Sequence, residues 1–153
     1  MEIADLLLPR GVVPQLRVNN KKQALQEIAR RAAALTGAPE RRIYEVLAER
    51  ERLGSTGIGR GVAIPHGKLA ELARLFGLFV RLERPIEFGA IDDQRVDLLF
   101  VLLAPAEGRE HLRGLARVSR LLRDSATCQK LRGTDNADAL YALLTDRSET
   151  HAA

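Results

Sequence analysis

The chain contains no tryptophan and a single cysteine, and aromatic residues fill only 4% of its 153 positions. Each shortage excludes something. One thiol, Cys128, cannot close an internal disulfide, so the fold must rest on its core, and the sequence suits a reducing, cytoplasmic setting. So few rings provide no stacking platform for single-stranded nucleic acid. No run of 18 apolar residues occurs, which removes a membrane-spanning helix and with it membrane insertion. The longest apolar stretch, Leu98 to Ala106, is broken at Pro105 and reads as a buried strand and its exit. The opening MEIADLLLPRG carries Glu2 and Asp5 where a secretory leader would be basic. With Cys128 and only three histidines, His66, His111 and His151, no metal site is expected, because structural zinc takes four ligands.

What is present fits one globular unit. Apolar residues make up 46% of the chain, enough for a sizeable core. The formal charge of +4 invites a nucleic-acid reading, but the 24 basic residues are interleaved with 20 acidic ones and no basic run exceeds two residues. That pattern describes solvated faces, and no nucleic-acid partner is expected.

Local patterns set out the elements. Residues 11–18 read as extended, with Pro14 marking an edge or a bulge. Asn20 is placed to cap a helix, with Gln23 completing a variant capping box. Leu25, Ile28, Ala29, Ala32 and Leu35 follow at helical spacing up to Gly37. A second helix opens at Pro39 as a first-turn residue, buries Ile43, Val46 and Leu47, and ends at Gly54. Strands are predicted at Phe76–Leu82, Pro85–Phe88 and Val96–Leu103, with a turn at Asp92-Asp93-Gln94. Helical spacing returns from Glu107, with Leu112, Leu115, Val118 and Leu122 on one face. Helices follow at Ser125–Arg132 and, capped by Thr134, up to about Asp146. The expected fold class is α/β: a single domain over 1–146 with a mixed parallel and antiparallel sheet flanked by helices on both faces. The polar tail 147–153 is expected to fray.

The chemistry concentrates in residues 55–68, STGIGRGVAIPHGK. Gly57, Gly59 and Gly61 alternate, and Ser55 and Thr56 add hydroxyls. Two readings fit: a nest of backbone N–H groups for an anion, or a glycine-rich turn between helix and strand. The G-x-G-x-G spacing matches neither a dinucleotide fingerprint nor a P-loop. His66 follows Pro65, which stiffens the backbone, and precedes Gly67, which leaves space behind the imidazole. A neutral imidazole is a nitrogen nucleophile near pH 7, and phosphoryl transfer asks mainly for positioning and charge stabilisation around it. His111 reads as a half-buried histidine in the first turn of a helix, and Arg50 as an arginine that can snorkel from the edge of the core.

Arg50-Glu51 followed by GSTGIGRGVAIPHGK closely resembles the active-site segment of the type-2 (mannitol/fructose) enzyme IIA domains of the bacterial phosphoenolpyruvate-dependent phosphotransferase system, with the nitrogen-regulatory branch most similar. IDDQRVDLLFVLLAPAEGREHL resembles the second signature of the family, and the likeness runs from about residue 3 to residue 146. The resemblance implies that His66 carries the phosphoryl group on Nε2. It implies that His111 is a second active-site histidine and that Arg50 stabilises the phosphoryl group. Ser55, Thr56, Gly57, Gly59 and Gly61 would form the adjoining loop. It implies no cofactor, an HPr-like phosphocarrier as donor, and regulatory target proteins bound according to phosphorylation state. A sugar-specific IIA subunit feeding a IIB domain is the alternative. Arg60 stands where relatives often have a small polar residue, and with Arg50, Arg52 and Lys68 it suggests a basic docking rim around His66.

Overall fold

The protein is described by a computed structural model for residues 1–146; the predicted tail, 147–153, lies outside the described residues. After two short 3-10 turns, the elements are β1 (Val12–Leu16), α1 (Lys21–Thr36), α2 (Glu40–Arg52), β2 (Gly57–Gly59), β3 (Val62–Ala63) and β4 (His66–Leu69). β5 (Phe76–Ile86), β6 (Val96–Pro105), α3 (Glu110–Leu122), α4 (Ser125–Arg132) and α5 (Ala137–Thr145) complete them.

β6 explains the architecture. It is apolar at almost every position, and a strand can be so only when both sheet faces are covered. Leu99, Val101 and Leu103 join the core beneath α1 and α2. Leu98, Phe100, Leu102 and Ala104 face the opposite way, into the core beneath α3, α4 and α5. The sheet runs β1-β5-β6-β3-β2, with β4 also on β6. β5 and β6 are antiparallel. β1 is parallel to β5, and β3 and β4 are parallel to β6. The mixed sheet with helices on both faces is therefore as expected.

The helix ends follow side-chain chemistry. Asn20 Oδ1 accepts the Gln23 N–H at 2.9 Å. Gln23 Oε1, however, accepts from Asn19 N rather than from the capping residue, so the box is displaced by one. Gly37 ends α1 at φ 80°, the left-handed region that favours glycine. Pro39 is the cap of α2 and lies outside it, because its ψ of 130° is extended. Asn136, not Thr134, caps α5 through its bond from Ala139 N.

Three other expectations change. β5 continues through Pro85 to Ile86; the ladder shifts register between Arg81 and Ile86, where a proline without an N–H is tolerated. Phe88 lies beyond the strand. Leu112 is exposed on α3, while the buried face is Gly114, Arg117, Val118, Leu121 and Leu122. No helix among the described residues is long and apolar enough to cross a membrane.

Candidate phosphoryl-transfer site

His66 opens β4. β3 and β4 lie on β6 without a change of register, Val62 facing Leu98, Ala63 facing Leu99 and His66 facing Leu102. Ile64 and Pro65 bridge the two segments, and Pro65 O accepts the Leu102 N–H at 2.9 Å. Proline has no N–H to offer the ladder, so the strand is interrupted without being displaced. The imidazole thus stands on a straight, doubly anchored backbone and is half-buried.

Gly67 does a different job from the one expected. A Cβ built there would lie 2.2 Å from Val46 Cγ1, so the space at Gly67 is filled by α2 and does not lie open behind the ring. That close approach brings Arg50, one turn beyond Val46, to His66. The Arg50 Nε–H donates to His66 Nε2 at 3.3 Å, and Arg50 Nη1 donates to Gly54 O at 2.8 Å.

The other ring nitrogen, His66 Nδ1, lies 2.8 Å from Ile64 O. A carbonyl can only accept, so this contact assigns the proton to Nδ1 and leaves a lone pair on Nε2. Burial is the main influence that pushes the His66 pKa below its ordinary value of 6.5; the Ile64 bond opposes it, and the Arg50 charge adds to it. The ring is therefore neutral at physiological pH. An NMR pH titration is expected to show His66 protonating only below pH 6.5, later than a solvent-exposed histidine. The sign follows for stability as well. Below the unfolded pKa of about 6.5 the unfolded chain takes up the proton first, so this group lowers stability as pH falls towards the depressed folded value. A midpoint above 6.5 would contradict the assignment.

The glycine-rich segment divides in two. Gly57 lies against Ala90, where a Cβ would come within 2.6 Å of the alanine methyl. Thr56 O accepts from Ile64 N, which puts Thr56 against the segment that leads into the histidine. Ser55 Oγ donates to Phe88 O and accepts from Gly57 N, both at 3.0 Å, so this hydroxyl builds the loop. Gly59, Arg60 and Gly61 form the reversal of the β2–β3 hairpin. Gly61 O accepts from Leu98 N, whereas His66 pairs with Leu102. Four strand residues separate these positions, roughly 13 Å. Gly59, Gly61 and Arg60 thus lie away from His66, and the three glycines do not make one nest around it. Arg60 turns towards α4, its guanidinium on Ser125 Oγ at 3.2 Å and its carbonyl on Arg132. The basic rim at His66 is left with Arg50 on the ring, the exposed Lys68 two residues along β4 and Arg52 on the exposed end of α2.

His111 sits in the first turn of α3, half-buried, with a buried Nδ1 that has no partner among the described residues. It is close enough for its charge to depress the His66 pKa, though no hydrogen bond joins the rings among the described residues.

Two residues here were not singled out from the sequence. Glu51, 9% exposed, accepts from Thr56 N at 3.0 Å and from the Thr56 hydroxyl, and pairs with Lys21 Nζ at 2.8 Å. A signal existed for Glu51: Ile43, Leu47 and Glu51 fall on one helical stripe, which places a carboxylate on a buried face. Lys21, whose ammonium also lies 4.4 Å from the Phe88 ring centroid, carries no such signal.

An imidazole nitrogen with a free lone pair is thus held against a guanidinium. The family described as phosphoenolpyruvate-dependent sugar phosphotransferase system, EIIA 2, matches residues 5–147. The chain belongs to this family. As an EIIA 2 protein it is a phosphoryl-transfer component of a phosphotransferase system. Its relatives include the nitrogen regulatory protein of Bradyrhizobium diazoefficiens, 56% identical over 94% of this chain and 95% of that one. The Escherichia coli K12 nitrogen regulatory protein is 45% identical over 98% and 93%. The crystal structure of nitrogen regulatory protein IIA-Ntr from Neisseria meningitidis superposes with a TM-score of 0.88 at 33% identity, covering 94% of this EIIA 2 chain and 99% of that one. The Escherichia coli mannitol IIA, at 20% identity and a TM-score of 0.75 over 88% and 96%, shares the fold.

Proposed function

We propose that the protein is a regulatory phosphocarrier that accepts a phosphoryl group on His66 Nε2 and changes its protein partners accordingly. One observation carries the reading: Nδ1 keeps its proton on Ile64 O while the lone pair of Nε2 faces Arg50. The donor is an HPr-like phosphocarrier. His66 Nε2 attacks phosphorus as the N–P bond to the donor imidazole breaks, and the donor imidazole departs with that electron pair. The positive charge gained by the His66 ring is shared with Ile64 O through the retained Nδ1–H. The Arg50 Nε–H, released when the lone pair is used, turns to a phosphoryl oxygen, and Lys68 lies two residues from the histidine. His111, in the helix turn nearby, supplies a further polar group.

The attached group adds about −1.5 to −2 charges, if it titrates like other protein phosphates, beside Arg50 and Lys68. A partner that meets this rim with carboxylates loses affinity on phosphorylation, typically by about 5- to 150-fold. The nitrogen regulatory names of the most similar relatives favour regulation over sugar uptake.

The test is a relay of phosphoenolpyruvate, enzyme I and an HPr-like donor, followed by addition of fructose- or mannitol-type IIB domains. The expected result is acid-labile label on this protein that the IIB domains do not drain. Rapid loss of label to a IIB domain would assign it to sugar transport, and no label at all would overturn phosphoryl carriage.

A further inference from the structure

Glu51 is adjacent to Arg50 but points the other way, and the two side chains grip opposite ends of one hydrogen-bonded circuit. Its carboxylate takes the Thr56 N–H and hydroxyl. Thr56 O takes the Ile64 N–H at 3.0 Å. Ile64 O takes the His66 Nδ1–H at 2.8 Å. His66 Nε2 takes the Arg50 Nε–H at 3.3 Å, and the α2 backbone from Arg50 to Glu51 closes the ring. Lys21 Nζ, at 2.8 Å from Oε2, balances the buried carboxylate. Arg50 Nη1 on Gly54 O straps the turn inside the circuit.

We propose that Glu51 is a positioning residue for phosphoryl transfer: by anchoring Thr56 it sets where the Ile64 carbonyl lies, and so which nitrogen of His66 carries the proton. The inference rests on His66 as the phosphoryl acceptor. A carbonyl displaced from Nδ1 no longer selects the Nδ1–H tautomer, and a ring protonated on Nε2 has no lone pair to attack with. Arg50 alone does not select the reactive form, because it approaches the nitrogen that must later be vacated. Glu51 and Thr56 are both buried, so neither meets the donor protein directly.

The circuit also explains why a charge is placed on the buried stripe of α2. A neutral amide at position 51 could still accept from Thr56, but it would turn an N–H2 towards the Lys21 ammonium and weaken the anchor. A carboxylate serves both donors at once, through Oε1 to Thr56 and Oε2 to Lys21.

The experiment compares the tautomer of His66 in the unphosphorylated protein, read from long-range 1H–15N correlations well above the imidazole pKa, with single-turnover transfer from an HPr-like donor. The variants are Glu51→Gln, Thr56→Val and Thr56→Ser. Glu51→Gln and Thr56→Val are expected to raise the Nε2–H fraction and lower the maximal transfer rate, with the donor half-saturation concentration unchanged. Outer partners that orient an imidazole are worth about 10- to 100-fold where it is a metal ligand, and the same order is expected here. Thr56→Ser, which keeps the hydroxyl, is expected to restore both readouts. If Glu51→Gln does not fold, Thr56→Val carries the test, since valine keeps the shape and the backbone bond of Thr56. Folded variants with a wild-type tautomer and a wild-type rate would overturn the proposal. So would a slower rate with an unmoved tautomer, which would make Glu51 merely structural. The tautomer is read without phosphorylation, so this failure is distinct from a failure of His66 to accept phosphate.

Discussion

Replacing His66 with alanine is expected to abolish acid-labile phosphorylation while leaving the fold in place. The His66 side chain makes two hydrogen bonds, to Ile64 O and from Arg50 Nε. Neither belongs to the ladder that ties β4 to β6. Their loss costs about 1–2 kcal/mol, a fraction of the stability of a domain this size. Transfer, by contrast, loses its nucleophile outright. His111 is not placed to substitute, because it is carried by α3 and has no hydrogen bond to Arg50 among the described residues. The measurement is incubation of His66→Ala with phosphoenolpyruvate, enzyme I and an HPr-like donor, followed by mapping of the label, with circular dichroism as the fold control. Label retained at His111 would move the acceptor to that residue.

Gly67→Ala is expected to damage both stability and transfer, through a residue with no chemistry of its own. The added methyl would sit 2.2 Å from Val46 Cγ1, well inside contact distance. Valine has little rotamer freedom in a helix, so the collision is relieved by moving α2 and not by turning a side chain. Overpacking of this kind costs about 1–3 kcal/mol, which lowers Tm by about 2–12 °C at this chain length. α2 also carries Arg50 and Glu51 on its last turn, so its displacement opens the contact to His66 Nε2. A misplacement of about 1 Å can cost about 100-fold in rate. The double variant Val46→Ala/Gly67→Ala removes the colliding methyls and is expected to recover most of both losses. A Gly67→Ala protein with wild-type Tm and wild-type transfer would show that α2 is not held to β4 by this contact.

These two positions show how far the residues could be read directly. His66 stood out because Ile64-Pro65-His66-Gly67 is a local feature: a stiffened backbone, a nucleophile and a gap, all within four residues. Gly67 was legible as a glycine whose missing Cβ mattered, but its neighbour was not. The space was assigned to the imidazole, and it belongs to Val46, 21 positions earlier in the chain. Arg60 was assigned to the rim because it lies six residues from His66. Yet the hairpin carries it to the far end of β3, where it meets Ser125 on α4. Sequence distance says little about spatial distance once a chain reverses on itself.

The sequence by itself determined the element types, the burial of β6 and the candidate histidine, because these depend on periodicity, on turn chemistry and on contiguous residues. It also placed Arg50 on the correct helix. Only the tertiary structure decided that Arg50 reaches Nε2, that Ile64 O holds the Nδ1 proton, and that Glu51 and Lys21 meet beneath the loop at Thr56. These contacts join α1, α2, β4 and the connecting residues Thr56 and Ile64. Their geometry is set by how closely a helix can approach a strand, and a single absent methyl group at Gly67 fixes that distance.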